Sequence, residues 1–380
     1  MKRFRILLLT SWAALCLHSV SAAPGDLDPT FHALGYVMTP VGTSTDLANG
    51  VAVQSDGKMV VVGQTYNGSN SDFCVVRYNV DGSLDTTFNG TGKQSLSFGS
   101  GDDIARAVAI QSDGKIVVIG HTNDGSRWRI ADARFTTAGQ LDSSFGNGGK
   151  SVISLPGSVH DYGFGVAIQS DGSIVIVGTD QGSSYDMAVV RLTSSANLDT
   201  SFNGTGMANI AVGAGTDEAS CVAIQSDGKI VVGGYSRNAT DNDFAAVRLM
   251  PNGSLDTSFN GTGKLITPIG PGNERANSVT IQTDGKIVLA GGSFDNSGIS
   301  NIALVRYTST GVLDTNFGTA GKSVARVGVE DPFCQSRCLR TERSSWPVTP
   351  SWLAVVITNF CWPASPLWDC WIRPSKTRAI

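Results

Sequence analysis

The chain has 380 residues, a formal net charge of −4 and only 16% charged residues. That balance excludes a basic nucleic-acid-binding stripe, and the length allows one large domain or two ordinary ones. Glycine stands at 45 of the 380 residues among short Val/Ile runs punctuated by Asn, Asp, Ser and Thr, a composition of many short strands and tight turns.

The N-terminus reads as a targeting segment. "MKRFR" is basic, "ILLLTSWAALCL" is apolar but short, and "SVSAA" offers a small-residue cleavage site after Ala22 or Ala23. Residues 1–23 are therefore expected to be a signal peptide, with the mature chain secreted, periplasmic or at the cell surface. Cys16 raises a lipoprotein reading, but Leu15 before it is larger than the usual small residue there. In the body of the chain, Cys74 and Cys221 occupy different points of their repeats, as small buried apolar residues would, not as a disulfide framework.

From residue 24 a period governs the chain. The phrases "GDLDPTF", "GSLDTTF", "GQLDSSF", "ANLDTSF", "GSLDTSF" and "GVLDTNF" start at residues 25, 82, 139, 196, 253 and 311. Their leucines, Leu27, Leu84, Leu141, Leu198, Leu255 and Leu313, step by 57, 57, 57, 57 and 58 residues. So strict a period means one supersecondary unit copied along the chain.

Each unit reads as four strands. In the copy at 220–269, "SCVAIQ", "KIVVGGYS", "DNDFAAVRLMP" and "KLITPIG" are the strands. Asp227-Gly228 sits between the first two, and an Asp-Gly pair there predicts a two-residue hairpin turn with both residues at positive φ. The same pair recurs as Asp56-Gly57, Asp113-Gly114, Asp171-Gly172 and Asp284-Gly285. The strands are apolar on both faces, so each small sheet needs a neighbour on either side. Radial stacking supplies those neighbours, and the expected fold is an all-β propeller of four-stranded blades over residues 24–331, with five complete blades. A β-solenoid is the rival, with rungs usually much shorter than this period.

"AVAIQSDGKIVVIG" at 107–120, "FCVVRYNVDGSLDTTF" at 73–88 and "NGTGK" at 89–93 resemble the bacterial Delta-60 repeat family over residues 25–331. The resemblance implies a propeller-like fold and an extracellular location. It carries no catalytic set.

After "GVLDTNFGTAGKSVARVGVED" the repeat breaks off, and no glycine follows Gly328. Five of the seven tryptophans lie in this tail: Trp346, Trp352, Trp362, Trp368 and Trp371. Read from the third base of each codon, Thr341–Val348 permits "GKIVLAG", Asn359–Trp371 permits "FLLARFTAVGLLD" and "IRPSK" permits "PTFE". The tail at 332–380 is therefore expected to be out-of-frame translation of a sixth repeat, with one base lost or two gained near codons 331–336. "WLAVVITNFCW" is too short and interrupted to span a bilayer, and Cys334, Cys338, Cys361 and Cys370 lack the spacing and histidines of a zinc finger. The segment "GYVMTPVG" at 35–42 reads as a fourth strand lacking its first three, so the two chain ends would together build one blade. Without it, an open sheet edge is exposed.

Candidate sites divide into repeated and non-repeated residues. Arg77, Arg134, Arg191, Arg248 and Arg306 recur in the third strand, each followed by the Asp of the "LD" phrase: Asp85, Asp142, Asp199, Asp256 and Asp314. Such pairs form either an anion- or glycan-binding ring or, as presence in every copy favours, an internal tie that fixes the connection. One carboxylate per Asp-Gly turn is too few oxygens for calcium. The "NGT" and "NGS" sequences at Asn89, Asn203, Asn252 and Asn260 suit turns better than glycosylation. The residues that break the repeat are the binding candidates: Arg127, Trp128 and Arg129; His160, Asp161 and Tyr162; Tyr235 and Arg237, all expected on loops.

No nucleophile–base, paired-acid or metal spacing stands out among these residues. The sequence thus points to an exported, noncatalytic binding or scaffold module for a protein or glycan, with no cofactor, no nucleic-acid partner and no membrane span once the signal is removed. The alternatives are a propeller enzyme, of lyase or hydrolase type, acting on a polysaccharide or small substrate, and a non-functional frameshifted product.

Overall fold

The structure, a computed structural model, describes residues 27–182, 184–294 and 299–326. The expected signal peptide and out-of-frame tail lie outside the described residues.

The described chain folds into twenty strands in five antiparallel sheets. The first sheet holds β1 (Asp46–Val53), β2 (Met59–Tyr66), β3 (Ser71–Tyr78) and β4 (Lys93–Leu96). The second holds β5 (Asp103–Ile110), β6 (Ile116–Asn123), β7 (Trp128–Phe135) and β8 (Lys150–Ile153). The third comprises β9 (His160–Ile168), β10 (Ile174–Gln181), β11 (Tyr185–Leu192) and β12 (Met207–Ile210). The fourth comprises β13 (Asp217–Ile224), β14 (Ile230–Arg237), β15 (Asn242–Leu249) and β16 (Lys264–Thr267). The fifth comprises β17 (Glu274–Ile281), β18 (Ile287–Phe294), β19 (Ser300–Tyr307) and β20 (Lys322–Arg326). Strand order in every sheet is sequential, the arrangement of a propeller blade.

The first strand of each sheet packs on the first three strands of the sheet before it, whereas the short fourth strands stay at the periphery. First strands therefore lie innermost. Four apolar cores fill the four boundaries. Val60, Phe73 and Phe88 meet Ile116, Ala131 and Phe135 at the first. Phe145, Ile153, Ile174 and Val190 fill the second, Phe202, Val232 and Leu249 the third, and Phe244, Phe259, Leu289 and Tyr307 the fourth. The double-sided burial answers to the runs of Val and Ile without alternation.

The Asp-Gly hairpins differ from expectation. Only the glycine takes a positive φ (Gly57 +83°, Gly114 +82°, Gly172 +85°, Gly228 +82°, Gly285 +79°). The loop has three residues: Gly57 N–H donates to the Gln54 carbonyl (2.9 Å), and Gln54 N–H donates to that of Lys58 (2.8 Å). A type I turn followed by a left-handed glycine has this form. The aspartate stays right-handed because its side chain is used locally, Asp56 Oδ1 accepting from the Lys58 N–H at 3.1 Å.

Residues 36–41 lie where a fourth strand of a preceding blade would lie, but they form no strand, and among the described residues no third strand stands beside them to complete a ladder. Val37 and Val41 instead cover Cys74, Val76 and Tyr78 on the first sheet.

Candidate functional site

The repeated arginines are structural ties. Arg77 Nε donates to Asp85 at 2.7 Å, Arg134 to Asp142 at 2.8 Å and Arg191 to Asp199 at 2.8 Å. Arg248 reaches Asp256 at 2.7 Å and Arg306 reaches Asp314 at 2.9 Å. Each guanidinium also lies over the Phe that ends its own "LD" phrase, 4.6–4.9 Å from the ring centre. A second cation arrives from the hairpin turn: Lys58 is 2.9 Å from Asp85, Lys115 3.0 Å from Asp142, Lys229 3.3 Å from Asp256 and Lys286 3.2 Å from Asp314. The third unit has Ser173 in place of this lysine. Burial works to raise the Asp256 carboxyl, but hydrogen bonds from Ser258, the charge of Arg248 and a bond from Lys229 outweigh it and bring it down to about 2. The carboxylate oxygens of this ring are thus engaged within their own units.

The non-repeated candidates fall into two groups, most of them on strand ends and not on loops. Trp128 and Arg129 open β7, and His160, Asp161 and Tyr162 open β9. Trp128 N–H donates to His160 Nδ1 (3.1 Å), and Arg129 is 3.3 Å from Asp161. Asp161 has a local task as well: it accepts from the Leu155 N–H (3.1 Å), as Asp103 accepts from Phe98 (2.7 Å) and Asp217 from Val212 (2.6 Å). Tyr235 and Arg237 lie on β14, in a different sheet from Trp128, and Arg127 immediately precedes β7. Around Trp128 and Tyr162 a ring cluster forms with His121 and Phe164. His121 is 5.1 Å from Trp128, 5.2 Å from Tyr162 and 5.9 Å from Phe164. Burial, together with the positive charge of Arg106, pushes the His121 imidazole down to about 3, so it is neutral at physiological pH.

The most site-like feature sits one layer deeper. Every first strand carries a bulge at the same place, where the ladder to the second strand skips one residue. The skipped residues are Asn49, Arg106, Phe164, Ser220 and Asn277. A bulged residue has no partner across the ladder and its side chain is re-aimed. Here the bulges lie on the innermost strands, and at least the first reaches the next sheet, Asn49 Nδ2 donating to the Ala105 carbonyl at 2.8 Å. Three of the bulged residues keep a buried polar atom without a hydrogen-bond partner among the described residues: Arg106 Nε, Ser220 Oγ and Asn277 Nδ2. Two residues before the bulge, Glu218 on β13 meets Arg275 on β17 at 3.1 Å, and the Arg275 guanidinium lies 4.5 Å from the Tyr235 ring centre. Arg106 lies 6.0 Å from the Phe164 ring centre and feels both the Glu218 and Arg275 charges.

At the turn end of the array the first strands frame a cavity of about 990 Å³. Val53, Ile110, Ile168 and Ile224 line it, with Gln54, Gln111 and Gln169 from the turns. Its volume is in the range of small-molecule sites.

The inner residues Arg106, Glu218, Ser220, Arg275 and Asn277 were not among the sequence candidates. Their signal is present in the repeat: "DLANGVAV", "DIARAVAI", "DYGFGVAI", "DEASCVAI" and "ERANSVTI" share their frame and vary at the second and fourth positions.

Five stretches of the chain, 54–88, 111–145, 169–202, 225–259 and 282–317, match the family described as "Domain of unknown function (DUF5122) beta-propeller". The chain is thus a repeat protein built of five β-propeller-family repeats. No curated protein matches the sequence. Solved propellers resemble it distantly. A protein of unknown function from Dyadobacter fermentans is 13% identical, with 74% of this chain and 83% of that one covered and a TM-score of 0.45. A gluconolactonase from Xanthomonas campestris is 13% identical, with 64% and 69% covered and a TM-score of 0.35. A PL25 ulvan lyase is 10% identical, with 69% and 67% covered and a TM-score of 0.40. At these scores the likeness carries no argument about ligand or reaction.

Proposed function

We propose that the protein is an exported, noncatalytic binding module that holds a glycan at the centre of the blade array. The observation that carries this reading is the set of five bulged residues, which take four identities, Asn, Arg, Phe, Ser and again Asn, inside an otherwise repeated strand. A residue kept only to build the blade needs no such variation. Arg106 Nε–H and Asn277 Nδ2–H are unpaired donors, and the Ser220 hydroxyl can donate too. Unpaired donors suit a ligand rich in acceptors. Phe164, Tyr162 and Trp128 add apolar faces beside them. Hydroxyl and carboxylate oxygens arranged around an apolar ring face are the chemistry of an acidic saccharide, and Arg106 is the residue for its carboxylate.

An array of neutral and uronate-bearing glycans probed with the full chain tests this. Retention of uronate-bearing glycans, and its loss in Arg106→Gln, supports the reading. Retention of no glycan, or cleavage of a retained one, overturns it.

A further inference from the structure

We infer that the free face of the fifth sheet is a docking surface for the first three strands of one more repeat unit, and that the N-terminal segment supplies that unit's fourth strand.

Each of the four existing boundaries is made by the same set of ties. The arginine of one unit donates through its second nitrogen to a carbonyl of the next: Arg77 to Thr137 (2.6 Å), Arg134 to Ser194, Arg191 to Pro251 and Arg248 to Ser309. The Phe of the "LD" phrase is sealed at the boundary, with Phe88, Phe145, Phe202 and Phe259 all 0% exposed. Three of the four seat against a left-handed glycine of the next unit, as Phe88 does at Gly139, where a Cβ would stand 2.7 Å from the ring. The residue after the Phe then bonds to the same loop, Asn89 N–H to the Ala138 carbonyl at 2.8 Å.

At the fifth sheet these ties stop. Arg306 keeps Asp314, but among the described residues it has no carbonyl acceptor in a following unit. Phe317 is half-exposed. On the sheet face, Val288, Ile302 and Leu304 are half-buried. Their counterparts in the fourth sheet, Val231, Phe244 and Ala246, are all 0% exposed. No extensive strand packing joins the fifth sheet to the first.

At the other end the same ties are already made, by a fragment. Phe31 stands against Gly82, 3.0 Å from where its Cβ would be. His32 N–H donates to the Asp81 carbonyl at 2.7 Å. Lys93 Nζ donates to the Pro40 carbonyl (2.5 Å), as Lys322 does to Pro268 (2.6 Å). Tyr78 and Thr39 pair through their hydroxyls at 2.7 Å, as Tyr307 and Thr267 do at 2.7 Å. Residues 31–41 thus play the last quarter of a blade.

The missing three quarters fit the face left open at the fifth sheet. The occupant must present a carbonyl to Arg306 and a small residue to Phe317, which a unit of this repeat does. A second copy of the chain does not fit, because the leading face of its first sheet is already covered by its own Val37 and Val41. The sixth repeat spelled in the shifted frame beyond residue 331 is a unit of the required kind.

The test compares the full chain with a version in which the residues after Arg326 are replaced by a copy of 211–250, the first three strands of the fourth unit with their lead-in. The expected result is a rise of several degrees in Tm and slowed amide exchange in both residues 36–41 and β18–β19. Arg306→Lys should lower Tm more in the extended chain than in the original. In case the added strands do not fold, the thiol of Ile302→Cys in the full chain is compared with that of Phe244→Cys: an open face predicts labelling at least tenfold faster at residue 302. An extended chain that folds with unchanged Tm, equal labelling of the two thiols, or sedimentation of the full chain as an end-to-end dimer would each overturn the proposal.

Discussion

Arg77 and Thr137 are joined across a blade boundary: the guanidinium that holds Asp85 at 2.7 Å also donates to the Thr137 carbonyl at 2.6 Å. One side chain therefore fixes a connection within its own unit and the spacing to the next. The Lys58 contact at 2.9 Å brings the hairpin turn to the same carboxylate. The two most repeated phrases of the sequence meet at this aspartate.

The first prediction separates the two roles. Arg248→Met removes both the tie to Asp256 and the bond to Ser309, leaving a buried carboxylate with Lys229 as its one remaining cation beside the Ser258 hydrogen bonds. The expected cost is about 3 kcal/mol, the range for breaking a buried pair. Arg306→Met removes only the tie within the unit and should cost less by about 1 kcal/mol, the net contribution of one hydrogen bond. Urea denaturation of the two variants decides it; equal losses would mean that the inter-blade bond contributes nothing.

Acid should loosen the array through the same aspartates. Asp85, Asp142 and Asp256 are held below the ordinary carboxylate value of 3.8. A folded-state pKa below the unfolded one contributes stability that is complete above pH 3.8 and lost as pH falls toward 2. Asp256→Asn should therefore flatten the fall in Tm between about pH 4 and 2. An unchanged profile would contradict the assignment.

Asp132 predicts the opposite sign. It is fully buried in β7, both carboxylate oxygens lack a hydrogen-bond partner among the described residues, and burial pushes its carboxyl up to about 8. The corresponding residues are Val75, Val189, Ala246 and Leu304. A raised folded-state pKa makes folding less favourable as pH climbs from about 4 to 8, since the unfolded chain ionises first. Asp132→Val should stabilise the protein at pH 7 by on the order of 2 kcal/mol or more, and by less at pH 4, where the buried carboxyl is neutral. Thermal melts at the two pH values show whether the gain is larger at the higher one.

The fold was largely legible because a 57-residue period repeats every local decision in register. The arginine–aspartate tie was legible for the same reason, as both partners lie eight residues apart in each copy. The Asp-Gly turn was misread in detail, since the sequence does not show that the aspartate spends its side chain on the Lys58 N–H. The inner ring was not read at all. A bulge shows no change in hydrophobic pattern, and Arg106, Phe164 and Ser220 come together only when five strands are arranged about one centre.

At the centre, Arg275 holds Glu218 at 3.1 Å and leans on Tyr235. Arg275→Ala frees a carboxylate beside Arg106. Glu218 then competes with an anionic ligand for that guanidinium, and affinity for a uronate oligosaccharide should fall about tenfold, which is about 1.4 kcal/mol. Glu218→Gln removes the competing charge and should bind at least as tightly as the parent. A fall in the second variant as large as in the first would contradict this arrangement.

The most direct measurement is calorimetric titration of a uronate oligosaccharide into the full chain and into Arg106→Gln, with the recovered sugar sized afterwards. The account predicts saturable binding to the parent chain, at least a tenfold loss in the variant, and sugar of unchanged length. Equal affinity in both proteins, or shortened sugar after contact with the parent, would contradict it.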